Sequence, residues 1–270
     1  MKAEVVSFRR GAGWIGDGWR LFRGAPFAWI AIVFVYWLLM SLLGSVAAFG
    51  APAQLGVAVA VVLVPAFSVG FMAAARSAAR GAAPAIADLF AGFRAACLQR
   101  QLALGAVYAL LLAAVLWLTT LADGGALARW MVAGERPEAQ TLHSEAFRAA
   151  LVLAALGYAP VMMMYWFAPV LCAWHGLAPA KALFFSFVAT LVNWRAFLGY
   201  GLAAALLAVA VPFVVFTVAL LFADGRLRGL AMGLVLPLLL VLLPILYASF
   251  FASYRDIFGT AAGAPGAPIR

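Results

Sequence analysis

Charge is scarce in this chain. Asp, Glu, Lys and Arg make up only 10% of its 270 residues, against about 25% in an ordinary soluble domain. The two cysteines, Cys97 and Cys172, are too few and too far apart for a disulfide framework and read as packing residues. The two histidines, His143 and His175, have no HExxH or CxxC spacing around them, so the sequence offers no metal site. The two are expected on opposite sides of the membrane and offer no positioned base beside a Ser or Cys, so no catalytic residue can be named. The long apolar runs hold almost nothing ionisable, which argues against a proton-coupled pump or a voltage sensor. Gly11 to Gly16 matches a GxGxxG string, but no strand precedes it and no βαβ unit follows. The phosphate-cradling turn needs that context, and no cofactor site is expected.

Apolar residues are abundant instead: 68% of the chain is hydrophobic and its mean hydropathy is +1.09. Water cannot solvate that much apolar surface, so lipid must be the solvent. Uncharged runs fall at about 26–49, 52–75, 101–122, 150–174, 196–223 and 229–253. Each exceeds the roughly 20 residues that cross a hydrocarbon core, and each must be helical because lipid offers the backbone no partners. The expected fold is all-α, a polytopic bundle of six transmembrane helices. Residues 1–258 form a single membrane domain, with 259–270 as a flexible C-terminal tail. The first run is too long for a cleavable signal peptide, and Arg9-Arg10 lies too far upstream of it for a twin-arginine signal.

The formal charge of +9 sits between the apolar runs rather than on a soluble module, which excludes nucleic acid as a partner. Thirteen Lys and Arg fall on the side of the termini and five on the other, in the loops holding Arg129, Arg136, Arg148, Arg226 and Arg228. Both termini are therefore expected in the cytoplasm of a bacterium, with the protein multi-pass in the inner membrane.

Three cytoplasmic segments show helical spacing of apolar residues: Phe8, Ile15, Trp19 and Phe22; Ile86, Leu89, Phe90, Phe93 and Cys97; and Phe184, Phe187, Val188 and Leu191. The spacing predicts amphipathic helices in the interface plane over 84–98 and 179–194, and a weaker one near the N-terminus, where Gly11, Gly13, Gly16 and Gly18 lower the propensity. The segments also align. Leu89 to Phe93 falls on Leu183 to Phe187, Trp19-Arg20-Leu21-Phe22 on Trp194-Arg195-Ala196-Phe197, and Pro65…Phe71…Arg76 on Pro244…Phe250…Arg255, with Pro160 at the same place in the fourth run. Three parallel repeats, at about 1–80, 82–176 and 178–258, account for this, each an interfacial helix followed by a helical hairpin. The prolines within spans read as bends, and Met162-Met163-Met164 as core filling, since neighbours in a helix point in different directions. Within the outer loop 123–149, Leu127 to Val132 reads as membrane-surface and Glu135 to Glu138 as a polar tip.

The candidate functional positions lie on the inner face. Arg20, Arg76, Arg195 and Arg255 stand at span ends, accompanied by Trp19, Trp194 and Tyr254. Two readings stay open for them: anchoring at the headgroup level, and a guanidinium ring that grips an anionic lipid headgroup or a partner's carboxylates. Asp88 and Asp256 are possible ion-pair partners of these arginines.

The segments Gly18 to Phe22 with Pro26, Leu89 to Arg94, Asn193-Trp194-Arg195 and Tyr254 to Phe258 resemble a family of small six-span inner-membrane proteins of proteobacteria. That family has no assigned activity, so the resemblance carries over no catalytic residue. More distantly, the plan is similar to the membrane domains attached to some bacterial glycerophosphodiester phosphodiesterases, whose soluble catalytic domain has no counterpart here. The sequence leads to a non-enzymatic scaffold, accessory subunit or lipid-associated factor. Its expected partners are anionic lipids, with a protein partner or a second copy of the chain left open. The alternative is a carrier or channel for a hydrophobic or amphiphilic solute. An intramembrane enzyme acting on lipid headgroups is the least favoured.

Overall fold

The computed structural model describes residues 3–46, 50, 52–221, 233 and 235–259. Arg226, Arg228 and Arg270, most of 229–234 and the tail beyond 259 lie outside the described residues. Every regular element among those described is helical, as the lack of backbone partners in lipid demands. In chain order these are α1 (Phe8–Gly24), α2 (Pro26–Gly44), α3 (Ala53–Ala79), α4 (Ile86–Leu89), a 3₁₀ turn (Ala91–Phe93), α5 (Ala95–Asp123), α6 (Ala126–Ala133), α7 (Ala139–His143), α8 (Glu145–Tyr165), α9 (Ala168–His175), α10 (Pro179–Val192), α11 (Trp194–Leu221) and α12 (Val235–Phe258). Among the described residues five helical stretches are long and apolar enough to cross a membrane: α2, α3 from Gln54, α5, α8 with α9, and α12 from Leu240. A sixth is reached if α10 and the first part of α11, a broken pair bent at Asn193, count as one span.

The chain gathers into two compact units. The first comprises Met1–Tyr36, Gly70–Leu89 and Leu191–Arg270. In it, α1 lies against the start of α11 and the end of α12. Glycines that weaken its helix propensity permit this approach. A Cβ on Gly11 would strike the carbonyl of Ala196, one on Gly199 of α11 would strike that of Phe8, and one on Gly18 would strike that of Ile245. Small residues of this kind let helix backbones touch. Ser7 caps α1, its hydroxyl accepting the Arg10 amide at 3.3 Å. The residues ahead of it are clipped in place. The Glu4 amide donates to the Ile257 carbonyl (2.7 Å), the Val6 amide donates to the Asn193 side-chain oxygen (2.7 Å), and the Asn193 side-chain amide returns a bond to the Glu4 carbonyl (3.0 Å). Aromatics fill the space behind: Phe71 stacks parallel on Tyr247 with centroids 3.8 Å apart, and Tyr36 meets Phe71 edge-on.

The second unit comprises Trp37–Val69 and Phe90–Thr190. The α5 and α8 helices pack together, and the fully buried Gln101 donates to the Pro169 carbonyl at 2.9 Å. Helix α8 breaks from α9 at Trp166-Phe167, and the hydroxyl of Ser186 occupies the gap. It accepts the Phe167 amide (2.9 Å) and donates to the Met163 carbonyl (2.8 Å), the two groups that an unbroken helix would join directly. A side chain inserted in the i to i+4 ladder is a recognised cause of a helix break.

One sequence expectation changes. The single amphipathic helix over 84–98 is instead α4, the 3₁₀ turn and the first residues of α5, interrupted where Arg94 turns extended (φ −64°, ψ 141°). Gly92 lies so close to the Ala66 carbonyl that a Cβ would overlap it, and that contact holds the chain in the turn. In α10 the helix forms, with Ala182, Ser186, Ala189 and Thr190 buried and Phe184, on its apolar side, 65% exposed. Lipid accepts the phenyl rings, so small and hydroxyl-bearing residues take the helix contacts. In the segment between α5 and α8, Leu127 of α6 packs with Phe147 in a small core, and Met131 stays exposed.

Gly11→Val is expected to destabilise the first unit by about 1–3 kcal/mol, the usual cost of overpacking. Thermal unfolding in detergent, followed by tryptophan fluorescence, measures it, because Trp14 and Trp29 are both fully buried in the first unit. An unchanged midpoint contradicts the close α1–α11 crossing.

Candidate functional site

Helix α1 carries Arg10, Trp14 and Asp17 at helical spacing on one side, and that side faces α12. Asp17 is the centre of the site. Its side chain is 5% exposed, and it accepts from Arg10 at 2.7 Å, from Arg20 three residues on, and from Arg255 of α12 at a longer 3.4 Å. Asp256, beside Arg255, accepts from Arg10 at 3.1 Å and from the Trp14 indole N–H at 2.9 Å. Three guanidiniums thus surround two carboxylates, a net charge of +1. Trp14 is fully buried, its ring meeting Phe197 edge-on at 5.4 Å, so the indole fixes the height at which Asp256 is held.

The two signs are layered. The carboxylates lie beneath, at 5% and 15% exposure, and the guanidiniums above them, at 39% for Arg10, 44% for Arg255 and 64% for Arg20. A shallow pocket of about 200 Å³ opens among Asp17, Arg20, Leu21, Ala252 and Arg255. Burial works to raise the pKa of Asp17, but the hydrogen bonds from Arg10 and Arg20 outweigh it and hold the carboxyl below the usual carboxylate range. The Arg10 guanidinium is held above its ordinary value chiefly by its hydrogen bond to Asp256, against the opposing effect of burial. Such an arrangement docks one helix on another and leaves a cationic surface outward. Among the described residues no group of three or more His, Cys, Asp or Glu is placed to hold a metal ion.

Of the sequence candidates, Arg20, Arg255 and Asp256 come together here. Arg195 lies exposed with its guanidinium 5.4 Å from the ring of Trp194, which is itself 54% exposed. Trp19 is half exposed over Phe22, and Arg76 is half buried in the last turn of α3. Tyr254 is fully buried, which leaves its ring to core packing rather than to a headgroup. The Asp88 carboxylate accepts the Ala85 amide at 3.0 Å, at the start of its own helix. Asp17, Arg10, Trp14 and Asn193 are absent from the sequence candidates. The signal for the first three is the helical spacing of Arg10, Trp14, Asp17 and Arg20 in a segment whose glycines, seven apart at Gly11 and Gly18, mark a packed face.

Helices this long and apolar define a helical integral membrane protein. No family model matches the chain, and no solved structure does. The chain is 41% identical over 218 residues, covering 79% of its own length and 78% of the relative's, to a probable inner membrane protein of Burkholderia thailandensis. It belongs to the family of that protein.

Because the folded pKa of Asp17 is lowered, its ion pairs contribute fully above the unfolded-state pKa. That contribution is lost as pH falls through the folded value. Asp17→Asn is expected to remove about 2 kcal/mol at neutral pH, the scale of a charged hydrogen bond, and to flatten the acid limb of the stability–pH curve. An acid limb identical to that of the unaltered protein contradicts the assignment.

Proposed function

We propose that this is a non-enzymatic, lipid-associated protein of the bacterial inner membrane, crossing it six times with both termini in the cytoplasm. Its inner face meets anionic headgroups. The observation that carries the reading is the layering of the Asp17 cluster, which turns guanidiniums outward over buried carboxylates. Exposed arginines with Trp19 and Trp194 beside them suit the headgroup level, where indoles and guanidiniums both prefer to lie. The thirteen-to-five bias of Lys and Arg supports the orientation, and the relative's description supports the compartment. In this reading α1 lies in the interface plane, and Arg76 and Arg195 add cationic contacts around the cluster.

The three-unit plan has support as well. Gly18 abuts the Ile245 carbonyl just after Pro244, Gly92 the Ala66 carbonyl just after Pro65, and Ser186 bonds the Met163 carbonyl shortly after Pro160. Each of three cytoplasmic segments thus sets a small residue against the same stretch of a proline-bearing span.

Two measurements test the proposal. Lipids retained through mild-detergent purification are expected to be richer in anionic phospholipid than the bulk membrane, and an equal ratio contradicts the association. A cysteine at Glu138 is expected to react with a membrane-impermeant maleimide on intact cells, while one at Ser7 is not. The reverse pattern inverts the topology.

A further inference from the structure

The inner-face reading leaves open what kind of anion the cluster selects, and the geometry of one corner answers it. Arg20 and Arg255 flank the pocket from two different helices, with Leu21 and Ala252 as its apolar walls and Asp17 among its lining residues. A guanidinium carries five N–H donors in a rigid plane. The contacts to Asp17 take one Nη of each arginine, and Arg255 turns Nε towards Asp256 at 3.8 Å. Donors therefore remain on both arginines at a pocket whose volume suits one small oxyanion rather than an extended polyanion. The cluster's net charge of +1 matches a singly charged phosphodiester, whose binding would bring the site to neutrality. The apolar walls suit the carbon substituents that a diester has on both sides and a free phosphate lacks.

We propose that Arg20 and Arg255 form a fork for a single phosphodiester group, and that Asp17 beneath them is its positioning residue. This rests on the reading that inner-face arginines meet anionic headgroups. Arg20 stands at 64% and Arg255 at 44% side-chain exposure, on stems that would otherwise sample many rotamers. A buried carboxylate bonded to both restricts that freedom before the ligand arrives, which is how preorganisation raises affinity. Fork geometry, rather than charge alone, then decides binding, because only guanidinium matches two phosphate oxygens at once.

The test uses the full chain purified in a neutral detergent, with short-chain phosphatidylglycerol as probe and binding read by calorimetry. Replacing both arginines by lysine, Arg20→Lys with Arg255→Lys, keeps every charge and is expected to weaken binding about fivefold or more. Asp17→Asn makes the cluster more positive, so simple attraction would tighten binding, whereas loss of positioning is expected to weaken it about threefold or more. If that variant does not fold, Asp17→Glu keeps the charge but moves the carboxylate outward and is expected to weaken binding likewise. Arg9→Gln, a charge removed elsewhere on α1, is expected to change affinity less than about twofold, as a screened surface charge does.

Unchanged or tighter binding in the Asp17 variants, with the lysine pair weakened, overturns the positioning role and leaves the headgroup reading intact. Equal binding by all variants overturns the fork. If the unaltered protein also shows no preference for phosphatidylglycerol over phosphatidylcholine, the headgroup reading falls with it. Inorganic phosphate in competition separates the sources: displacement at millimolar concentration assigns the fork to a soluble phosphate and overturns the diester, and resistance supports the lipid.

Discussion

A carboxylate taken out of water must be matched by cations and hydrogen bonds or give up its charge. Asp17 is such a group, and the first unit is arranged around it. Arg10 and Arg20 come from its own helix and Arg255 from α12, so the requirement of one side chain ties two helices together. Arg10 then reaches Asp256, and Asp256 takes the Trp14 indole, so the pairing spreads into a layer rather than a single bridge. The glycines of α1 are part of the same arrangement. Backbone contact at Gly11 and Gly18 brings α1 near enough to α11 and α12 for short polar side chains to meet. Bulk at either position would hold the charges apart.

Elsewhere the governing constraint is the backbone. In a chain surrounded by hydrocarbon, each break in a helix frees groups that water cannot satisfy. Side chains fill these vacancies at specific points. Ser186 joins Met163 to Phe167 across the α8–α9 break, and Asn193 reads the backbone of Glu4 and Val6 as a neighbouring strand would. Ser186 and Asn193 are thus placed where the main chain is irregular, and among the described residues Asp17 is the buried one that carries charge.

Composition and hydropathy were enough to show that the chain is helical with long apolar helices, because nothing in lipid but a helix satisfies its own backbone. Among the described residues, α2 (Pro26–Gly44) lies within the run 26–49, and α5 (Ala95–Asp123) contains the run 101–122. Faces were harder to read. The 3.6-residue period marks which residues share a side, but in a membrane protein it does not say which side is packed. In α10 the phenyl ring of Phe184 goes outward and the small residues go inward, the inverse of a soluble helix. The site was half legible for the same reason. Arg20, Arg255 and Asp256 stand out as charges at span ends, whereas Asp17 lies among glycines in a segment whose apolar spacing drew attention to Phe8, Ile15, Trp19 and Phe22 instead. A lone carboxylate on a glycine-lined face is a packing signal that hydrophobic periodicity passes over.

The central claim is that charge pairing docks α1 on α12, and a double-mutant cycle between Arg10 and Asp256 measures it most directly. The unfolding free energies of Arg10→Gln, Asp256→Asn and the double variant in detergent micelles are expected to show a coupling of about 1–3 kcal/mol, as for charged partners sharing one network. Losses that add to within about 0.3 kcal/mol would mean that the two residues do not act together, and would contradict the claim.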